Sequence, residues 1–380
     1  SEGDALLKAF ARILEREAPR PVLVARMLAD AFLVLFPYKG KEELVTYCEA
    51  YSRALNGFIV SREQNYQLEL RSGICCVEDS DASDINSLLD RANMALKTIK
   101  MKGAAQWKFY DRTMRDKLLR EKDLEIRMEK ALADGEFLVY IQPKYWVGTR
   151  ALAGGEALVR WKSPDQGFLS PGEFIPLFEK NRFIVKLDQF MFTSVCGLLR
   201  QWLDAGIEPR PLSVNVSQMQ FHTPDFVERY IGIKSQYAIP DGLLELEFTE
   251  SIFFDNVALL SSAVHEFRRA GIKCSIDDFG AGYSSLNVLK ALPVSVLKLD
   301  GMFFRTAKDD EQANIVIRNI MRMAGELKMA TVAEGVETPE QVAFLETTGC
   351  DIIQGYVFAR PMPAAEFTEL LAGEGGHAEH

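Results

Sequence analysis

The stretch KCSIDDFGAGYSS, Lys273 to Ser285, decides how the rest of the chain is to be understood. A short β-type run, Cys274-Ser275-Ile276, ends in two adjacent carboxylates, Asp277 and Asp278, and a turn carrying Gly280 and Gly282 follows. Two acids side by side at a strand end repel each other. A divalent cation relieves that repulsion, and Asp oxygens are hard ligands suited to Mg²⁺ or Mn²⁺. Taken alone, the pair has a plainer explanation, a solvated turn in which Asp caps a helix. What ends the neighbouring strands separates the two.

Working outward from Asp277, the sequence carries eight strand candidates, mostly separated by helical stretches: Phe137–Tyr145, Ala151–Trp161, Pro211–Ser217, Leu243–Glu250, Lys273–Phe279, Ser295–Asp300, Met329–Val336 and Ile352–Phe358. Gly206, Gly271 and Gly349 stop helices, and Thr338-Pro339-Glu340-Gln341 supplies an N-cap, a proline at the first helical position and a capping-box Gln. Repeated strand–helix units over about 240 residues predict an α/β fold, a (β/α)₈ TIM-type barrel of the usual ~250 residues. No helix separates the first two strands, so irregularity is expected there.

Chemistry in such barrels sits at the C-terminal strand ends. The second strand brings Glu156 there, SVNVS brings Asn215, LELEFTE brings Glu247, the fifth strand brings Asp277 and Asp278, VLKLD brings Lys298 and Asp300, AEGVE brings Glu334 and Glu337, and IIQG brings Gln354. Five carboxylates (Glu156, Glu247, Asp277, Asp278, Glu334) and the Asn215 amide make an all-oxygen shell with too much charge for one cation and enough for two. Two metals ~3.5–4 Å apart are the arrangement used for in-line displacement at phosphorus. Lys298 is the one cation expected among these strand ends, placed to orient a water or to meet phosphate charge. A salt bridge to Asp300 or Asp277 is its bland alternative. A Schiff-base role is disfavoured because surrounding acids keep a lysine protonated.

Composition bounds the rest. A net charge of −10 over 380 residues argues against a nucleic acid polymer or an anionic membrane as partner, while leaving room for a small anion held by metals. The six cysteines (Cys48, Cys75, Cys76, Cys196, Cys274, Cys350) form no CxxC pair, which predicts reduced packing residues and a cytoplasmic setting. No bilayer-length apolar run or signal peptide is visible. Of four histidines, His377 and His380 lie in the C-terminal tail, leaving His222 and His265, too few for a zinc centre or a Ser-His-Asp triad.

Upstream of the barrel the pattern is α+β. Helices are predicted at 5–17, at 41–56 with Gly57 as the stop, and at Asp84–Lys102; strands at Phe32–Pro37, 68–77 and Trp107–Tyr110. Thr113–Asp134 alternates charge densely with a thin stripe of Leu118, Leu119, Ile126 and Met128, as a connecting helix does. The expected organisation is a small domain over 1–113, a linker helix over 114–134, a barrel over 135–373 and a tail over 374–380.

These strings resemble a known family. Gln142-Pro143, EALVRW from Glu156, SPGEFIP from Ser170, SVNVSQMQF from Ser213, LELEFTES from Leu243, IDDFGAGYSSL from Ile276, LKLDGMF from Leu297, AEGVET from Ala333 and IIQGYVFARPMP from Ile352 are similar to the EAL cyclic di-GMP phosphodiesterases, in order across residues 135–371. The resemblance implies a barrel whose first strand runs antiparallel, and two Mg²⁺ or Mn²⁺ ions, with Ca²⁺ inhibitory. It implies hydrolysis of cyclic di-GMP to linear pGpG. Glu156, Asn215, Glu247, Asp277, Asp278 and Glu334 would then bind metal, with Lys298, Glu334 and Glu156 catalytic and Lys298 holding the water. Gln142, Leu158, Arg160, Asp188 and Gln354 would line the substrate site. Glu250 would brace the DFGAGYSS loop and Glu337 would support the shell from outside. A homodimer through the barrel is implied as well.

Residues 1–113 resemble a degraded, incomplete GGDEF domain, through GDALLK at Gly3, RANMALKTIKMKG and FYDRTM. Its signature position reads LADAF, with Leu28 and Ala29 where two glycines would stand and Ala31 in place of the metal-site acid. The front part of that domain is expected to be missing, by truncation or by loss, and the domain to be inactive as a cyclase: a structural remnant, or a regulatory module still binding GTP. The chain is then either free in the cytoplasm or the cytosolic part of a membrane-anchored sensor. Two competitors remain open at this point: a receptor that binds cyclic di-GMP without cutting it and signals to a protein partner, and an unrelated barrel lyase, for which no substrate anchor is visible.

Overall fold

The computed structural model describes residues 2–16, 21–60, 68–78, 84–99, 106–250, 252, 257–280, 293–305 and 311–375. It divides into two compact units, Ser1–Asp123 and Leu124–His380.

In the second unit, eight strands close into a barrel: Phe137–Trp146, Leu152–Ser163, Leu212–Asn215, Leu244–Thr249, Lys273–Phe279, Val296–Leu299, Ala330–Ala333 and Ile352–Ile353. The first pairs antiparallel with both the second and the last, and the others run parallel. This is the irregularity expected from the missing helix, because a short turn joins only antiparallel neighbours. Short pieces extend the ends, Gly167–Leu169 beside the second strand and Met362–Pro363 beside the first.

The strands are held from outside by amphipathic helices. Ile184–Asp204 turns Leu187, Met191, Phe192, Val195 and Leu199 inward. Val264 and Phe267 of Val257–Arg269, and Ile317, Met321 and Ala324 of Glu311–Glu326, do the same, all joining one continuous apolar core with Leu212, Leu246, Ile276 and Leu297. A second apolar cluster gathers Phe137, Trp161, Phe174, Phe178 and Phe183, with ring centroids 4.8–6.1 Å apart. The cap Thr338-Pro339-Glu340-Gln341 forms as expected, with reciprocal bonds between Thr338 and Gln341.

The charged helix spans Arg112–Ala133, but its inward stripe differs from the expected one. Leu118, Leu119 and Ile126 are exposed. In the portion belonging to the second unit, Leu124 and Ala131 are buried, with Met128 and Leu132 against the aromatic cluster. Spacings of four and three (124, 128, 131) follow the helix face; Ile126 lies off it.

In the first unit, helix Glu2–Arg16 packs on Lys41–Val60 around Phe10, Leu14, Tyr51, Leu55 and Ile59. Gly57 does not stop that second helix. A mid-helix glycine costs ~0.5–1 kcal/mol, and burying Ile59 outweighs it. The strand expected over Phe32–Pro37 forms as Ala31–Leu35; its partner Leu23–Leu28, with which it forms an antiparallel hairpin, was not expected. The strand expected over 68–77 shortens to Ser72–Ile74, parallel to Trp107–Phe109 and covered by helix Ile85–Lys97, which Asp84 caps. Residues 100–102 of the helix expected there, and Gly282 and the C-terminal histidines, lie outside the described residues.

Candidate active site

The barrel's first hairpin sets the site's layers. Its register pairs Lys144 with Gly154, Gln142 with Glu156, Tyr140 with Leu158 and Leu138 with Arg160. Alternate residues share a face, so Tyr140, Gln142 and Lys144 lie on one face of a strand that runs opposite to the second, whose Glu156, Leu158 and Arg160 form the facing series. Gln142 and Glu156 therefore stand at one level, Tyr140 and Leu158 at the next, and Lys144 on the far side of Gln142.

Asp277 and Asp278 present a geometrical problem, since neighbours in a regular strand point to opposite faces. The chain solves it with a bulge. Ile276 pairs with Leu297 and Phe279 with Leu299, one extra residue on the acidic strand, and Asp278 takes φ 54°. The left-handed region is tolerated by Asp better than by most residues. The bulge lets adjacent acids converge: Asp277, Asp278 and Glu334 each bring a carboxylate oxygen within 4.8 Å of the others.

At the centre lies Lys298, fully buried. Its Nζ is 2.6 Å from Glu247 Oε2, 2.7 Å from Glu334 Oε1, 2.9 Å from Asp277 Oδ1 and 3.5 Å from Glu156 Oε2. Asn215 Nδ2 donates to Glu156 Oε1 at 2.6 Å. Gln354 Nε2 donates to Glu156 Oε2 at 2.7 Å and to Gln142 Oε1 at 3.1 Å. Gly355 allows that placement: a Cβ there would lie 2.0 Å from the Val336 carbonyl oxygen.

One expectation fails here. Lys298 is not the only cation among these residues. Lys144 is also buried, with Nζ 2.9 Å from Glu247 Oε1 and 2.7 Å from Ser213 Oγ. Its position two residues beyond Gln142 on an antiparallel strand was the available signal.

The electrostatics follow from two buried lysines set among four carboxylates. Burial alone would raise Glu247, yet Lys144 and Lys298 bring it down to about 2. Burial, reinforced by Glu247, holds Glu156 above its ordinary value. Burial likewise raises Glu334 well above the carboxylate range, although Lys298 works against it. Asp278 is pushed up to about 6 by burial, then by Asp277 and Asp300. Burial would lower Lys298, but Asp277, Glu156, Glu247 and Glu334 together hold it well above its usual value. Acids that outnumber their cations in this way favour the arrival of further positive charge. The candidate donors are all hard oxygens, and Asp277, Asp278 and Glu334 converge closely enough to share an ion, so the set fits divalent cations.

The remaining predicted residues are more dispersed. Arg160 lies with its guanidinium 5.6 Å over the Tyr140 ring. Asp188 is buried on helix Ile184–Asp204, where its Oδ2 accepts the Ser217 N–H at 3.0 Å and Gln220 Nε2 at 3.2 Å; burial carries it up to about 7. Glu250 Oε2 accepts the Gly280 N–H at 3.1 Å; the loop from 281 onward lies outside the described residues. Glu337 is exposed, with its backbone N–H donated to the Gln341 side chain. His222 and His265 are both exposed, and no helix among the described residues is long and apolar enough to cross a membrane.

This geometry can be set beside known proteins. Residues 126–361 match the family model of the EAL domain. The chain belongs to the EAL family. Residues 1–106 match the model described as the diguanylate cyclase GGDEF domain, so a GGDEF-type unit precedes the EAL barrel. Among curated relatives, the chain is 31% identical to the cyclic di-GMP phosphodiesterase NbdA of Pseudomonas aeruginosa, over 97% of this chain and 47% of that protein. It is 30% identical to the cyclic di-GMP phosphodiesterase PdeR of Escherichia coli, over 96% of this chain and 55% of that one. The chain thus spans about half the length of the curated relatives it matches. The phosphodiesterase PaMucR, solved as its c-di-GMP complex, superposes with a TM-score of 0.61 at 35% identity, over 64% of this chain and 99% of that one. The FimX EAL domain, at 20% identity and a TM-score of 0.59 over 63% of this chain and 96% of that one, shows the shared EAL fold alone.

Proposed function

We propose that the barrel hydrolyses cyclic di-GMP to linear pGpG with two Mg²⁺ or Mn²⁺ ions, and that the N-terminal unit has no cyclase activity. One observation carries this: Glu156, Glu247, Asp277 and Glu334 all converge on the Nζ of a single buried lysine. Nothing in the apolar core requires so many charges, and a lone buried charge is strongly destabilising. The arrangement makes sense as a cation site that Lys298 neutralises in part.

Glu156, Asn215, Glu247, Asp277, Asp278 and Glu334 would hold the cations. When bound, such ions offset charge on phosphoryl oxygens and acidify water. The chain's own residues do the rest. Lys298 supplies a fixed ammonium at the point where the carboxylates meet, able to orient a water by donating to it. Gln354 and Gln142 bond each other and hold Glu156 in place, leaving Gln354 Oε1 as a free acceptor for a donor on the substrate. Arg160 and Leu158, on the series that climbs past Glu156, would meet the dinucleotide. The close relation to proteins named cyclic di-GMP phosphodiesterases supports this choice of phosphodiester. For the N-terminal unit, the hairpin turn at the signature position carries Ala29 and is followed by Ala31, which offers no carboxylate to a metal.

The test is incubation of the intact chain with cyclic di-GMP and Mg²⁺ or Mn²⁺, with chromatography of the products. Release of pGpG that stops on chelation is expected. Binding of cyclic di-GMP with no product at saturating Mn²⁺ would replace the proposal with a receptor. Sedimentation of the same sample, with and without ligand, checks the homodimer that belongs to the proposal.

A further inference from the structure

Glu247 is gripped from two sides by two different lysines. Lys298 Nζ holds Oε2 at 2.6 Å, and Lys144 Nζ holds Oε1 at 2.9 Å. Lys144 is anchored in turn, because Ser213 Oγ accepts from it at 2.7 Å while donating to the Gly155 carbonyl at 3.4 Å. Glu247 faces Asn215 across one strand boundary and Ser275 across the other, so its backbone is fixed as well. The buried Glu245 lies on the same strand face two residues earlier.

We infer that Lys144 is a positioning residue for the cation site: it ties Glu247 Oε1 to the wall of the barrel through Ser213, so that Oε2 alone is presented to an incoming cation. This rests on the function proposed above. Lys298, on the Oε2 side, is shared among four acids. Lys144 sits on the other oxygen, where its hold would be kept with a cation bound. A carboxylate restrained in this manner binds as a one-oxygen ligand in a set orientation, with its second oxygen already satisfied. Removing the outer partner of a metal ligand commonly costs 10–100-fold in affinity or activity.

The sign of the effect makes the idea testable. If Lys144 acted only by its charge, removing it would make the site more negative and tighten cation binding. If it acts by restraint, removing it loosens binding. Mn²⁺ affinity is measured directly, by calorimetry or by the spin signal of free Mn²⁺, on the intact chain, together with kcat and KM for cyclic di-GMP. Lys144→Met is expected to weaken Mn²⁺ on the order of tenfold and to lower kcat, with KM little changed. Ser213→Ala, which removes the Lys144 anchor together with the hydroxyl beside Glu247, is the milder variant and keeps the test valid if Lys144→Met does not fold. It should weaken Mn²⁺ in the same direction by a smaller factor. Unchanged or tighter Mn²⁺ binding in a folded variant would overturn the inference. Absence of Mn²⁺ binding in the unmodified chain would overturn the proposed function instead, so the two failures are distinguishable.

Discussion

Lys298 shows how a single side chain can hold an acidic site together before any cation enters it. Its ammonium meets carboxylate oxygens of Glu247, Glu334 and Asp277 within 3 Å. Breaking a buried charge cluster by deleting one partner typically costs ~3–5 kcal/mol, because the others are left uncompensated. Lys298→Ala should therefore lose about that much stability in chelator and regain a large part of it in saturating Mn²⁺, while its turnover stays lost. Urea unfolding in the two buffers checks this; an equal loss in both would mean that cations do not enter among these acids. Asp188 offers a separate test. Burial lifts its carboxyl to about 7 against the bonds from Ser217 and Gln220, whereas the unfolded chain titrates near ~3.9. Between those values the folded state holds the proton that the unfolded state has released. The stabilisation is full below about pH 4 and is lost as pH rises through about 7, by up to ~1.4 kcal/mol per pH unit. Asp188→Asn removes the titration. The stability difference between wild type and variant should drift with pH from 5 to 8, and a flat difference would show that Asp188 ionises normally. Most of this residue-level site was legible because acids recur at strand ends with period two. Lys144 was not, because its level in the barrel depends on the antiparallel direction of its strand, which is not written in the heptapeptide YIQPKYW itself.

At the scale of elements, the barrel strands were legible because each is an apolar run ended by a polar side chain and followed by helix signals. The bulge at Asp277–Asp278 was not, since two adjacent acids look the same in a regular strand and in a bulged one. The N-terminal hairpin was half missed for a different reason. LVARML alternates weakly, and Leu23, Met27 and Leu28 remain exposed, so no burial pattern marks it. Its turn keeps a physical trace of the glycine-rich signature it resembles. Ala29 sits at φ 49°, a left-handed conformation in which its Cβ costs ~1–2 kcal/mol, and Arg26 holds its carbonyl with bonds of 2.9 and 2.6 Å. Ala29→Gly relieves that strain while adding back some backbone entropy. The hairpin should gain about 0.5–1 kcal/mol, seen as slower amide exchange along Leu23–Leu35. Faster exchange would mean that the Arg26 contacts, not the turn's steric fit, determine its conformation.

For the whole molecule, the two units have separate apolar cores. That of the first is built from Phe10, Leu14, Tyr51, Leu55 and Ile59, and that of the barrel from its strands and surrounding helices. All the candidate cation ligands belong to the second unit. A ligand that binds only the folded state stabilises it by RT ln(1 + [L]/Kd), ~2.7 kcal/mol at a hundredfold excess over Kd. Mn²⁺ should therefore slow amide exchange across barrel segments that open only on global unfolding of that unit, such as Leu244–Thr249, Val296–Leu299 and Ala330–Ala333. Helices Glu2–Arg16 and Lys41–Val60 should exchange at the same rate with and without it. Exchange mass spectrometry on the intact chain reads both sets at once. Protection confined to the barrel is the expected result, since Ala31 leaves the first unit without the acid its signature would supply. Mn²⁺ protection appearing in the first unit as well would mean that the hairpin unit either binds the ion itself or unfolds together with the barrel, and either finding would overturn this expectation.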